Sequence, residues 1–249
     1  EKERLVILGA NGSGKSTFFL NINGVLKPES GEVYYKDKLI DKSGIKELRK
    51  NVGIVFQDAD NQIIASSVRA EVSFGPMNLG LSKEEVKKRV DDALNYMNIH
   101  HLIDRPPHYL SGGEKKRVSI ADIIAMDSKI IIFDEPTASL DPKNVAIFED
   151  ALDKMSSDGK TLVISTHDIE FAYRFADRIV VFCDGNIIAD GKPVDVLSDS
   201  NVLKMANLKK PILLDVFDTL VENSIVKKDC VPVRSVEEFR DLIISQAKA

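Results

Sequence analysis

The chain has 249 residues, 43% of them hydrophobic and 29% charged, with a formal net charge of −5. This composition argues against general disorder and predicts one large domain or a domain with an appendage. The mildly acidic balance argues against wrapping a nucleic-acid backbone, and apolar runs of about five residues, such as 179–183, fall far short of the roughly 20 that cross a bilayer.

Residue 1 is Glu rather than Met and an apolar run starts at Leu5, so a preceding segment is expected to have been cut or left unseen. Short β-rich runs then alternate with helical patterns, as a mostly parallel sheet with covering helices requires. Strands are expected at 5–8, 32–35, 52–56, 129–133, 161–165 and 178–183. The last is joined to 186–190 through Asp184-Gly185, a hairpin turn signal. The runs 130–133 and 162–164 do not alternate, the mark of strands covered on both faces. Between about 67 and 126, Val86, Val90, Leu94 and Met97 fall at helical spacing, which predicts a helical subdomain inserted into the α/β core. After Gly191 helices are expected at 194–205 and 235–248. Cys183 and Cys230 match neither metal-ligand spacing nor a disulfide framework and fit a reducing cytosol.

The run Gly9-Ala10-Asn11-Gly12-Ser13-Gly14-Lys15-Ser16-Thr17 satisfies G-x-x-x-x-G-K-S/T between a strand and a helix-like stretch from Thr17 to Asn23. Its glycines let backbone N–H groups turn inward around an anion, and the helix that follows adds its positive end. Lys15 would reach the β- and γ-phosphates of a nucleotide, and the Ser16 hydroxyl would ligate Mg²⁺. Downstream, Asp134-Glu135 follows a buried strand, at the edge where ligands of open α/β sheets gather. Asp134 would hold Mg²⁺, mostly through water, and Glu135 would orient and polarise the attacking water as general base. Leu110-Ser111-Gly112-Gly113-Glu114 opens a further helix. Ser111 and Glu114 form a capping-box pattern, while the glycines leave the first amides bare as a second anion site.

The ordered set of phosphate loop, Gln57, Leu-Ser-Gly-Gly, Asp-Glu, Ser139-Leu140-Asp141 and His167 resembles the nucleotide-binding subunits of ABC transporters. The segments 55–62 and 74–81 resemble more narrowly the energy-coupling-factor ATPases, including the cobalt type. The resemblance implies a P-loop NTPase (RecA-like) α/β fold over 1–197, with the helical subdomain at about 67–126 and a C-terminal extension at 198–249 that helps the pair associate. It implies a head-to-tail pair of ATPase subunits, homodimer or paralogues. ATP held by Gly9, Asn11, Gly12, Ser13, Gly14, Lys15, Ser16 and Thr17 of one would be closed by Ser111, Gly112 and Gly113 of the other. Gln57 would ligate Mg²⁺ on a loop that senses the membrane partner, Asp141 would couple the two sites, and His167 would hold the γ-phosphate or Glu135. The implied partners are a second ATPase subunit, a transmembrane coupling subunit and a substrate-binding membrane subunit, with no nucleic acid. The implied place is the cytoplasmic face of the cell membrane, and the implied work is ATP hydrolysis that powers import, of cobalt or of nickel, vitamins or another small solute.

Two departures from the family pattern stand out. Glu114 occupies a position the family usually gives to Gln and is expected to be structural, folding back on Ser111. The aromatic residue on which the family stacks adenine would lie upstream of the phosphate loop, so adenine recognition is unassigned and nucleotide binding is expected to be weak if that piece is truly missing. Residues 211–220 resemble the nucleophile strand of haloacid-dehalogenase phosphatases. Too little chain follows for such a domain, so the segment reads as an amphipathic patch. Soluble ABC ATPases acting on DNA or ribosomes are disfavoured by the absence of a coiled-coil insertion and of a second cassette, and exporters by the 74–76 segment.

Overall fold

The computed structural model describes residues 2–138 and 140–247. Its elements are β1 (Arg4–Leu8), α1 (Lys15–Ile22), β2 (Tyr34–Tyr35), β3 (Lys38–Leu39), α2 (Ile45–Asn51), β4 (Val52–Val55), α3 (Val68–Asn78), α4 (Lys83–Tyr96), α5 (Gly112–Ala125), β5 (Ile130–Asp134) and α6 (Pro142–Ser157). There follow β6 (Thr161–Thr166), α7 (Ile169–Phe175), β7 (Arg178–Cys183), β8 (Asn186–Gly191), α8 (Pro193–Ser198), α9 (Ser200–Met205), α10 (Ile212–Glu222) and α11 (Val236–Ala247). The chain divides into two compact units, Glu1–Glu3 with Ser16–Ser165 and Arg4–Lys15 with Thr166–Ala249.

In the first unit β4, β5 and β6 pair in parallel, with Val55 opposite Phe133 and Asp134 opposite Ser165. Parallel neighbours need a crossover, which α6 supplies between β5 and β6. Ile131, Ile132 and Phe133 are buried, as their unbroken apolar run requires. Phe148 of α6 meets Phe133 edge-on with ring centroids 5.3 Å apart, a geometry worth about 0.5–1.5 kcal/mol beyond area burial. Between β4 and β5 the regular elements are all helical among the described residues. Ser82 caps α4, whose Val90, Ala93 and Leu94 are buried on one stripe.

The strand expected at 32–35 shrinks to a two-residue ladder, Tyr34–Tyr35 against Lys38–Leu39. Lys36 and Asp37 both take positive φ, 49° and 61°, so the chain reverses at once in a tight hairpin turn.

In the second unit β1 pairs with β7 in parallel and β7 with β8 antiparallel. Asp184 (φ 47°) and Gly185 (φ 78°) make the turn their dipeptide predicts. The helix expected at 194–205 is two helices. The Asp199 carboxylate accepts the N–H of Asn201 at 2.8 Å and of Val202 at 3.3 Å, starting a new helix instead of continuing the old one. Residues 212–222 form a helix that buries Leu214 and Phe217 and leaves Asp215 exposed, so no nucleophile strand exists there. The last helix was expected to reach Lys248, which lies outside the described residues.

Phe217, Val226 and Val233 form a small core of their own, with Phe239 and Leu242 packed against it. Hydrogen bonds tie residues 212–234 to α7, among them that of the Ile212 N–H to Glu170 Oε1 at 2.9 Å. The Tyr173 hydroxyl donates to the Val233 carbonyl at 2.9 Å, and Arg234 Nε donates to the Tyr173 carbonyl at 2.7 Å. Arg234 also bonds the Ala176 carbonyl just past the helix end, where a cation meets unsatisfied carbonyls.

Candidate active site

Residues 9–15 of the phosphate loop follow β1 in the second unit, while Ser16 and Thr17 belong to the first. Gly9 admits no side chain, because a Cβ there would lie 2.5 Å from the Phe182 carbonyl oxygen and 2.7 Å from Ser13 Oγ. Gly14 has φ +103°, a conformation that L side chains rarely adopt. The Gly185 N–H donates to the Ser13 carbonyl at 3.1 Å, so the β7–β8 turn braces the loop. Lys15 is buried, and its ammonium donates to the carbonyls of Gly9 at 2.8 Å and Ala10 at 3.1 Å. Ser13 Oγ is buried without a hydrogen-bond partner among the described residues. Such an atom carries a desolvation cost until a ligand meets it, and with the adjoining helix start it fits the loop to phosphate oxygens. Asn11, Ser16 and Thr17 are exposed.

In the first unit, β5 ends on Asp134 and Glu135 follows, both 7% exposed. Glu135 adopts φ +43°, a strained value for a non-glycine residue. Ser165, opposite Asp134 on β6, donates its hydroxyl to Asp134 Oδ1 at 2.6 Å and accepts the Glu135 N–H at 2.9 Å.

Ser111 caps α5 from an exposed position. Its N–H donates to Glu114 Oε2 at 2.8 Å while Ser111 Oγ accepts the Glu114 N–H at 3.3 Å, the expected capping box. The Ser111 N–H also holds the Glu114 carboxyl below its usual range. Gln57 is exposed after β4, and its loop is tied to α5: Lys116 Nζ donates to the carbonyls of Phe56 at 2.7 Å and Gln57 at 3.0 Å, and Lys115 pairs with Asp60. Burial pushes the Lys116 ammonium down to about 8 against the pull of Asp134 and Asp58. Gln57, Gly112 and Leu140 share one cleft of about 350 Å³ with both lysines.

Asp141 caps α6, accepting the Asn144 N–H at 2.8 Å, which draws its carboxyl below the usual range. The Asn144 amide in turn fills the space beside Gly113, where a Cβ would lie 2.5 Å from Nδ2. Gly113 and Asp141 are thereby brought together, whereas Ser139 lies outside the described residues. His167 is exposed between β6 and α7.

The ABC transporter family profile matches residues 1–138. The chain belongs to that family, whose members are ATP-hydrolysing cassettes. It is 44% identical, over 99% of its length and 88% of the other, to an energy-coupling factor transporter ATP-binding protein, EcfA, of Methanocaldococcus jannaschii. Among solved structures it resembles CbiO1 of Clostridium perfringens, part of the ABC transporter complex cbiONQ, with TM-score 0.73, 44% identity and coverage of 87% of this chain and 88% of that one. It also resembles the ATP-binding cassette MJ0796, dimeric in a post-hydrolysis state bound to ADP and Pi, with TM-score 0.70, 34% identity and coverage of 78% and 86%.

Within this ABC cassette, reasoning from the sequence missed Ser165, Lys116 and Asn144. Each acts by touching a motif residue distant in the chain, and only strand register or helix packing brings them there. The sole local signal was the run of two lysines after Glu114, which reads equally well as a solvated helix face.

Proposed function

We propose that this chain is a peripheral ATPase subunit on the cytoplasmic face of the membrane, powering an energy-coupling-factor importer for cobalt ion. No described helix is long and apolar enough to cross a membrane, so transport would need a transmembrane coupling subunit and a substrate-binding membrane subunit, as the name of its EcfA relative suggests. Residues 1–197 would be the cassette, 67–126 its helical subdomain and 198–249 an extension for association.

The observation that carries the reading is the solvent-facing start of α5, where Ser111 and Gly112 are exposed and the first-turn amides of Gly112 and Gly113 follow the capped Ser111. In a head-to-tail pair they would close on ATP held by residues 9–17 of the other subunit, whether a second copy or a paralogue. The glycine amides and Lys15 would grip the phosphates. Glu135 would take a proton from the water attacking the γ-phosphorus, giving ADP and phosphate. His167 would hold the γ-phosphate or Glu135 in place, and Asp141 would couple the two sites. The oxygen donors on hand are the Ser16 hydroxyl, the Gln57 amide and the Asp134 carboxylate, one of whose oxygens Ser165 already occupies. That set suits a hard cation that takes its other ligands from phosphate and water, as Mg²⁺ does. Bound Mg²⁺ would neutralise charge developing on the phosphates.

The test is a sizing column run on Glu135→Gln with saturating MgATP, which should convert monomer to dimer. A variant that binds nucleotide yet stays monomeric, alone and with a coexpressed paralogue, would sink the composite site. Copurification with hydrophobic membrane subunits and ATP-dependent cobalt uptake in vesicles test the transport assignment, with nickel and vitamins as competing cargo.

A further inference from the structure

We propose that Ser165 is a positioning residue for hydrolysis, one hydroxyl that sets both the carboxylate of Asp134 and the backbone of Glu135. The inference rests on the assignment of Asp134 to Mg²⁺ and Glu135 to the attacking water.

Ser165 is fully buried near the end of β6, and the parallel register places it opposite Asp134. Side chains in register share a face of the sheet, which explains the 2.6 Å bond to Asp134 Oδ1. A hydroxyl owns a single proton. Spent on Asp134, it leaves only lone pairs for the Glu135 N–H, which meets them at 2.9 Å. The two bonds are compatible on one oxygen, and a side-chain rotation that moved Oγ away would break both. The first commits Oδ1 of Asp134 and leaves Oδ2 as the oxygen that Ser165 does not use. The second anchors Glu135 where φ is +43°, a value its side chain does not favour. A carboxylate that must hold an ion, and a base that must meet a water, are thereby oriented by one atom of the neighbouring strand. Partners of metal-holding groups typically change metal affinity or activity by about 10–100-fold when removed.

The experiment measures binding of a fluorescent ATP analogue to the full chain, with EDTA and across a Mg²⁺ titration. Ser165→Ala removes the hydroxyl, Ser165→Cys keeps volume with a weak donor, and Ser165→Thr keeps the hydroxyl. For Ala and Cys the half-maximal Mg²⁺ concentration should rise about 10-fold, while metal-free affinity stays within about twofold and Thr stays near wild type. Turnover at saturating MgATP should fall with it, at unchanged KM. Unchanged Mg²⁺ dependence in both Ala and Cys would overturn the proposal. So would a parallel loss of metal-free binding and melting temperature, which marks a merely structural serine. If wild type binds no nucleotide, or binds it without response to Mg²⁺, the reading of the site itself has failed and Ser165 falls with it. If wild type responds and the variants match it, Ser165 alone is refuted.

Discussion

Asp122 on α5 has Oδ1 shut off from solvent and, among the described residues, without a hydrogen-bond partner. Burial, and then the charge of Glu71 on α3, push its carboxyl from 3.8 up to about 7. The folded chain therefore keeps a proton that the unfolded chain releases between those values, so stability falls as pH rises from about 4 to about 7 and then levels. Asp122→Asn should match wild type near pH 4 and melt higher at pH 8, as thermal scans across pH will show. Glu114 offers a second test. Glu114→Ala removes half of the capping box and should cost about 1 kcal/mol, whereas Glu114→Gln, whose amide oxygen also accepts, should melt close to wild type. The box was legible because both partners lie within one turn. Ser165 was not, because its meeting with Asp134 depends on a strand register that no local pattern encodes.

Helix α5 does more than begin with bare amides: through Lys116 it clasps the Gln57 loop. Lys116→Met would leave two carbonyls without their charged donor, at a cost of about 1.5–3 kcal/mol. Amide hydrogen exchange over 57–62 should quicken while that of β5 stays slow. Equal protection in the variant would show that the loop is held by other means. Core elements such as β5 and β6 could be read directly, since apolar runs between turn signals leave little choice. Competing local chemistry decided the rest, as when Asp199 cut an expected helix in two. The extension was least legible, since α10 shows its helical period only once Leu214 and Phe217 have a core to enter.

On the scale of the whole molecule, a formal charge of −5 gives no general attraction to anionic lipid. The chain should not float with anionic vesicles on its own and should do so once membrane subunits are reconstituted, which a flotation assay will decide. Arg234, tying the extension to the end of α7, is expected to matter for integrity: Arg234→Ala should cost about 1.5–3 kcal/mol and expose residues 208–247 to limited proteolysis. The packing of Asn144 against Gly113 reaches furthest. One amide thus joins the tip of α5 to the cap of α6, and a displacement of either is expected to carry the other with it.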